Sequence, residues 1–221
     1  MARNKHPEET TKKILDASLK LFLGKGYEET TIQDIVDNLG GLSKGAIYHH
    51  FKSKEDIFIA IAEQMGSNVA RWMDGILGDK TKTGLEKLRY IFQQSLTDPN
   101  QTYFSQSGVE LMDNPRLLAI WLEDWITETV PRYIQPAIEE GVRDGSIQTD
   151  YPKEVAEVTM LLINLWLSPA VGHLSRAEAK RRLAFFDQLL RFMGLPLLDD
   201  ALQESLMDYM EQWQVNRNSD K

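Results

Sequence analysis

Apolar side chains recur at three- and four-residue steps along nearly the whole chain, whereas the strict alternation of a half-buried strand persists nowhere for long. Such spacing places the apolar side chains on one face of an amphipathic helix. Glycine, proline and capping residues divide the pattern, and Pro131 and Pro136 are expected to interrupt one long segment. The sequence therefore predicts an all-α fold of about nine to ten helices. The predicted segments are residues 8–23, 32–39, 43–51, 54–78, 83–96, 103–112, 115–141, 153–171, 177–193 and 198–213.

The N-terminal quarter has a distinctive order of helices and breaks. A first helix is stopped by Gly24 and Gly26, and Thr30 with Gln33 has the spacing of a capping box at the start of a second, short helix. A glycine pair at Gly40 breaks that helix, and Ser43 is a suitable N-cap for a third one. Helix, short helix, glycine turn and short helix is the order of a helix-turn-helix.

The third helix is predicted to present a basic and aromatic face. Ile47 and Phe51 are expected to face inward and seat the helix. Outward basic and aromatic side chains suit the DNA major groove, where a helix fits and side chains reach base edges. Threonines and lysines at neighbouring helix ends are candidates for phosphate contacts. The predicted DNA-binding residues are Thr30, Thr31, Ser43, Lys44, Gly45, Ala46, Tyr48, His49, Lys52 and Lys54.

These residues lie in a segment that resembles the TetR family of bacterial transcriptional regulators. The resemblance runs from KKILDASLKLFLGKGYEETTIQDIV through LSKGAIYHHFKSKEDIF, about Lys12 to Phe58. One departure is the pair Gly40-Gly41, which adds a residue to the commoner turn and leaves individual base contacts open. The resemblance implies a homodimer that binds a palindromic double-stranded DNA operator, most often as a repressor, and a C-terminal domain that encloses a small ligand.

Charge is distributed unevenly along the chain, whose formal net charge is −8. Residues 1–53 contain 8 Lys and Arg against 7 Asp and Glu, a net of +1, whereas residues 54–221 contain 17 against 26, a net of −9. An anionic partner is therefore expected to contact the N-terminal quarter. The acidic remainder favours a neutral or cationic ligand over an anionic one.

The predicted domains are residues 1–53 for DNA binding, residues 54–215 for ligand binding and dimerisation, and residues 216–221 as a disordered tail. The N-terminus lacks the apolar region of a signal peptide, and the longest apolar stretch is shorter than the roughly 20 residues that span a bilayer. A cytoplasmic location without membrane association is the expectation. The chain contains no cysteine, which excludes disulfides and Cys-ligated metals.

Two further sets of residues are predicted in the C-terminal part, although an ordinary intramolecular core remains an alternative for both. Aromatic side chains with a few polar ones favour a ligand chamber. The resemblance implies a four-helix dimer interface, and apolar stripes on two helices fit that expectation. The predicted ligand-binding residues are Trp72, Tyr103, Phe104, Glu110, Trp121, Trp125 and Asn164. The predicted interface residues are Val155, Val158, Leu162, Leu165, Trp166, Phe186, Leu189 and Leu190.

Two other function classes stay open at this stage. The extra turn residue and the weak basic balance are compatible with a small-molecule binding protein that has lost operator recognition. An all-helical enzyme has little support, because His173 is the only histidine outside the N-terminal region and Glu110 with Asp113 is the only acid pair near the presumed chamber. We predict no catalytic residue, no metal site and no cofactor.

Overall fold

The all-α prediction is confirmed in the residues that the structure describes. The structure is a computed structural model that describes residues 7–97, 112, 115–169, 171 and 174–219. Its regular structure there consists of ten α-helices and two π-helical segments. The helices are α1 (Pro7–Lys25), α2 (Ile32–Leu39), α3 (Lys44–His50), α4 (Lys54–Gly78), α5 (Gly84–Thr97), α6 (Pro115–Asp124), α7 (Gln135–Asp144), α8 (Pro152–Leu161), α9 (Arg176–Phe192) and α10 (Asp200–Ser219). The π-helical segments are π1 (Trp125–Ile134) and π2 (Leu162–Trp166). The helix predicted at residues 103–112 lies outside the described residues apart from Met112.

The chain divides by packing into two compact units, Met1–Val69 and Ala70–Lys221. In the first unit, one isoleucine from each of four helices is completely buried: Ile14, Ile35, Ile47 and Ile57, each 0% exposed. Each such burial stabilises the fold by about 1.5–3 kcal/mol. The functional boundary predicted between residues 53 and 54 stays a prediction.

In the second unit, α5 and α7 pack in direct backbone contact. A Cβ added to Gly84 would lie 2.1 Å from the Gly141 amide nitrogen, so only glycine permits this approach. The fully buried Lys87 donates from Nζ to both carboxylate oxygens of Glu140, at 2.7 and 2.6 Å. The Asp144 carboxylate accepts a hydrogen bond from the Gly84 amide at 2.8 Å. These contacts join α5 and α7 into one block.

The C-terminal helix α10 packs against α5 and α9. The connection before it is held by Arg89, whose guanidinium donates to the carbonyls of Pro196 at 2.8 Å and Leu197 at 3.0 Å. Buried leucines and a methionine on α10 complete this side of the core: Leu202, Leu206 and Met210. None of the helices in the described residues has the length and apolar character needed to cross a bilayer.

The expected interruption at Pro131 and Pro136 is wrong, because the helical backbone continues from α6 through π1 into α7. Pro136 lies in the first turn of α7, directly after π1. Pro131 lies inside π1. A proline ring in an α-helix collides with the carbonyl four residues earlier, and the wider π turn relieves that collision.

Candidate nucleic-acid interface

Helix α2 begins at a capping box formed by Thr31 and Asp34. The Thr31 hydroxyl accepts from the Asp34 amide at 3.1 Å, and the Asp34 carboxylate accepts from the Thr31 amide at 2.7 Å. The predicted box of Thr30 and Gln33 is therefore wrong by one residue. Lys25 donates to the same carboxylate at 2.8 Å, and this bond, followed by those from Thr31, holds the pKa of Asp34 well below its usual range.

Thr30 lies in the core of the first unit rather than on its surface. Its side chain is 1% exposed, and its hydroxyl donates to the Gly26 carbonyl at 2.7 Å. A hydroxyl in this position has no access to a DNA phosphate, so the predicted phosphate contact of Thr30 does not fit the structure. Thr31, one residue later, is exposed and is still a candidate for a phosphate contact.

The connection between α2 and α3 spans residues 40–43. Gly40 ends α2 in the left-handed conformation, with φ of 57°, which any residue with a Cβ adopts only at a cost. Ser43 then caps α3 by accepting from the Ala46 amide at 3.2 Å. The half-buried Ala46 thus uses its amide within the helix. The predicted helix-turn-helix is therefore present, and both α2 and α3 begin at a capping residue, Thr31 and Ser43.

Helix α3 has one buried face and one outward face. Ile47 is 0% exposed and anchors the helix in the first unit. Lys44, Gly45, Tyr48 and His49 are exposed, with Tyr48 46% accessible. We call these four residues the reading face. A phenol and an ammonium group held outward by a buried anchor are able to reach base edges and phosphates.

Gly45 on the reading face has no internal packing reason to be glycine. The nearest heavy atom to an added Cβ is the Ser43 Oγ at 3.8 Å, which is an ordinary contact distance. Glycine inside a helix costs about 0.5–1 kcal/mol relative to alanine. Close approach of an external partner to the α3 backbone would explain why glycine occupies this position despite its cost in stability.

The two histidines at the end of α3 have different surroundings. His49 is exposed, whereas His50 is half-buried and its Nδ1 lies 3.0 Å from the Thr11 Oγ1 on α1. This bond joins the end of α3 to α1. Thr11 was missed by the sequence analysis, since a contact between residues 39 positions apart leaves no local pattern.

The two lysines predicted to contact phosphates differ in their availability. Lys54 donates from Nζ to the carbonyls of Tyr27 at 2.6 Å and Glu28 at 3.2 Å, and it lies 4.3 Å from the centroid of the Tyr27 ring. Its ammonium group therefore links the start of α4 to the segment that follows α1. The exposed Lys52 is the better phosphate candidate of the two.

The predicted ligand-binding residues are only partly covered by the structure. Trp72, Trp121 and Trp125 are half-buried, and the rings of Trp121 and Trp125 lie 6.3 Å apart. Asn164 is half-buried and donates from Nδ2 to the Met160 carbonyl at 3.0 Å. Three of the predicted residues lie outside the described residues: Tyr103, Phe104 and Glu110.

The predicted dimer residues divide between the core and the surface. Val155, Phe186 and Leu190 are buried within this chain, so they do not fit an interface. Val158 is exposed, and four others are half-buried: Leu162, Leu165, Trp166 and Leu189. The structure adds three exposed apolar residues that the sequence analysis missed: Leu161, Phe185 and Phe192. Phe185, Leu189 and Phe192 are spaced so that they lie on one helical face, and this spacing could have identified that face from the sequence.

Residues 14–61 match the model of the bacterial regulatory proteins of the TetR family. The matched segment begins in α1 and ends in α4, so it contains the capped α2, the glycine turn and the reading face. This segment of the chain is similar to the DNA-binding part of TetR-family regulators.

Proteins similar to this chain include named repressors. The transcriptional repressor AcnR of Corynebacterium glutamicum is 25% identical over 157 residues, which cover 70% of this chain and 78% of AcnR. The transcriptional repressor KstR2 of Mycolicibacterium smegmatis is 29% identical over 153 residues, which cover 65% and 70% of the two chains. The crystal structure of a gamma-butyrolactone receptor, an ArpA-like protein, shares the fold with a TM-score of 0.56 at 19% identity, over 96% of this chain and 99% of the receptor.

The match over residues 14–61 and these relatives bear on the choice between a regulator and an enzyme. The chain is a DNA-binding transcriptional regulator rather than an enzyme. The reading face lies inside the segment that defines the family.

Proposed function

We propose that this protein is a TetR-family repressor that binds a palindromic operator as a homodimer and that a small molecule bound in the second unit changes its affinity for the operator. The observation that carries the proposal is the reading face of α3, held outward by the buried Ile47 and the Ser43 cap. A capped helix with a basic and aromatic outer face is the element that helix-turn-helix proteins place in the major groove.

We assign the proposed DNA contacts to side chains that are exposed and can donate hydrogen bonds to DNA. The Lys44 ammonium is able to donate to guanine O6 and N7, and Tyr48 offers both an apolar ring edge and a hydroxyl. Thr31 and Lys52 flank the reading face in sequence and are exposed, which suits phosphate contacts. The proposed DNA-binding set is Thr31, Ser43, Lys44, Gly45, Ala46, Tyr48, His49 and Lys52.

The proposed homodimer uses the exposed apolar residues of α8, π2 and α9. Phe185 is 56% exposed and Phe192 is 90% exposed, which is unusual for phenylalanine on a monomeric surface. The Phe185 ring lies 5.8 Å from that of Trp166, so the apolar surface continues onto π2. The occupant that suits this surface is the same surface of a second copy, because a two-fold interface is self-complementary. Two reading faces per dimer fit a palindrome with half-sites about 34 Å apart.

The proposed ligand is small and uncharged. Trp121 and Trp125 supply aromatic surface that is half-buried. Among the described residues, Lys87 is the only charged side chain that is buried. It already donates hydrogen bonds to Glu140 and, at 3.1 Å, to the Leu77 carbonyl. No buried charge is therefore left in the described residues to neutralise an ionised ligand. The fold-sharing receptor named for gamma-butyrolactone is consistent with this class of ligand.

The test is a selection of bound sequences from random duplex DNA by the purified protein. We expect an enriched inverted repeat for the wild-type chain and its loss for the double variant Lys44→Ala, Tyr48→Ala. A matched control is Lys80→Ala, Tyr90→Ala, which removes an exposed lysine and a similarly exposed tyrosine from the second unit. The control is expected to select the wild-type sequence.

Two outcomes would contradict the proposal in different ways. Enrichment of the same repeat by the double variant would remove the reading face from its assigned role. Absence of any enriched sequence for the wild-type chain at low salt would indicate a binding protein that has lost operator recognition, since even non-specific binding is strongest at low ionic strength.

A further inference from the structure

Segment π1 is the longest departure from α-helical geometry in the described residues. Its hydrogen bonds join each amide to the carbonyl five residues earlier, as in the bond that closes it from the Gln135 amide to the Val130 carbonyl. Most π-helical segments in proteins are single turns, and many lie at functional sites. A π turn holds more residues than an α turn. Its conversion to an α turn therefore displaces the flanking helices by a residue relative to each other.

Two features of the sequence favour the π register over the α register at this place. Pro131 lacks an amide hydrogen, and in an α-helix its ring would collide with the Thr127 carbonyl. The Thr129 hydroxyl donates to the Asp124 carboxylate at 2.8 Å. Residues five apart do not face each other on an α-helix, where the facing pairs are three or four apart. The Asp124–Thr129 bond therefore belongs to the π register alone, and the buried position of Thr129 shields it from water.

The helix that follows π1 is fixed. Helix α7 is in backbone contact with α5 at Gly84 and Gly141, and it carries the ion pair between Glu140 and the buried Lys87. The last residues of π1, Tyr133 and Ile134, are buried as well. A shift of α7 by one residue would break all of these contacts at once.

The helix that precedes π1 is much less constrained. None of the α6 side chains that the structure describes is buried. Ile126, near the start of π1, is 58% exposed. Trp121 and Trp125, which are proposed ligand contacts, lie on this side and are half-buried. A change of register in π1 would therefore move α6 with its Trp121, together with Trp125 at the start of π1, and leave α7 in place.

We propose that π1 is a two-register switch, in which loss of the π register moves α6 by one residue relative to the fixed α7. The Asp124–Thr129 bond stabilises the π register, and Pro131 opposes the α register. A ligand that contacts Trp121 and Trp125 binds the two registers with different affinities and so selects between them, as any ligand-driven equilibrium requires. The regulatory meaning of the switch rests on the proposed function.

The experiment measures the register and the affinity for the operator in the same variants. The starting protein is the full chain with Trp72, Trp166 and Trp213 replaced by phenylalanine, so that fluorescence reports the two tryptophans beside π1. Thr129→Val removes the register-specific bond, and Pro131→Ala removes the obstacle to the α register. The controls are Thr127→Val, whose hydroxyl bonds to a carbonyl four residues earlier, and Pro152→Ala in the first turn of α8, after the non-helical Tyr151.

A one-residue change rotates an α6 side chain by about 100° around the helix. We expect Thr129→Val and Pro131→Ala each to change the acrylamide quenching constant by about twofold, and the affinity for the selected operator by about fivefold in a common direction. Both controls are expected to leave both quantities unchanged. Folding of every variant is checked by its thermal unfolding midpoint.

The outcomes separate the switch from the proposed function. Unchanged quenching in folded Thr129→Val and Pro131→Ala would overturn the switch. Changed quenching with unchanged operator affinity would overturn its regulatory role. If the wild-type chain selects no operator, the proposed function fails, while the quenching measurement on the starting protein still reads the register.

Discussion

At the scale of single residues, Gly45 is the position where stability and function are expected to conflict. Nothing in the chain opposes a Cβ at this position, and alanine is the better helix former. We predict that Gly45→Ala raises the free energy of unfolding by about 0.5–1 kcal/mol and weakens operator binding, because the new methyl group separates the α3 backbone from the groove. Urea unfolding and an operator titration on one preparation measure both quantities.

Gly40→Ala is the informative comparison, since it makes the same chemical change at a left-handed backbone position. We expect it to lower the free energy of unfolding by about 1 kcal/mol. If Gly45→Ala bound the operator as tightly as the wild-type chain, close approach would not be the reason for glycine on the reading face.

Residue identity alone was sufficient to place Lys44, Tyr48 and His49 on the outer side of α3, because Ile47 fixed the inward direction. It was insufficient for Thr30 and Thr31. Both threonines are suitable caps, and only the bond from Thr30 to the Gly26 carbonyl decides which one is buried. Such a contact depends on how the end of α1 folds back, which no local pattern records.

At the scale of helices, the buried Lys87 joins three elements. Its ammonium contacts the Leu77 carbonyl in the last turn of α4 and the Glu140 carboxylate on α7. We predict that Lys87→Met lowers the free energy of unfolding by about 1–3 kcal/mol, because it leaves the half-buried Glu140 carboxylate without its partner. The double variant Lys87→Met, Glu140→Met should recover much of that loss, since an apolar pair has no charge to desolvate.

The measurement is urea unfolding of the single and double variants, with Lys82→Met as a control. Lys82 pairs with Asp79 near the surface, and exposed pairs contribute little to stability. A small loss in Lys87→Met, or a double variant less stable than the single one, would show that the ion pair does not hold this junction together.

The helices themselves were largely predictable, because three- and four-residue spacing survives in the sequence even where the helices are short. The π-helical segments were not. Proline signals an interruption in most helices, and whether the backbone breaks or widens at Pro131 depends on how α7 is held against α5.

The sequence also did not show which apolar residues of the predicted dimer interface are buried within the chain. The apolar residues of α9 surround much of the helix, so periodicity alone did not separate the buried Phe186 and Leu190 from the exposed Phe185 and Phe192.

At the scale of the whole molecule, charge and assembly act together. The net charge of −9 over residues 54–221 repels DNA, whereas residues 1–53 carry only +1. One copy of the reading face therefore has few electrostatic contacts with which to bind an operator. Two linked copies gain affinity, because the second contact forms at a high effective concentration. Specific binding is thus expected to depend strongly on dimerisation.

This dependence predicts the behaviour of a variant that changes no residue of the first unit. Phe185→Ser, Phe192→Ser replaces the two most exposed phenylalanines of α9 and should convert the dimer to a folded monomer, because these side chains are already outside the core. Operator affinity should then fall by about a hundredfold or more. Sedimentation velocity gives the assembly state, and Val142→Ser serves as a control that removes an exposed apolar residue from α7. A monomeric variant with unchanged operator affinity would show that each reading face acts alone, and a dimeric variant would place the interface on another surface.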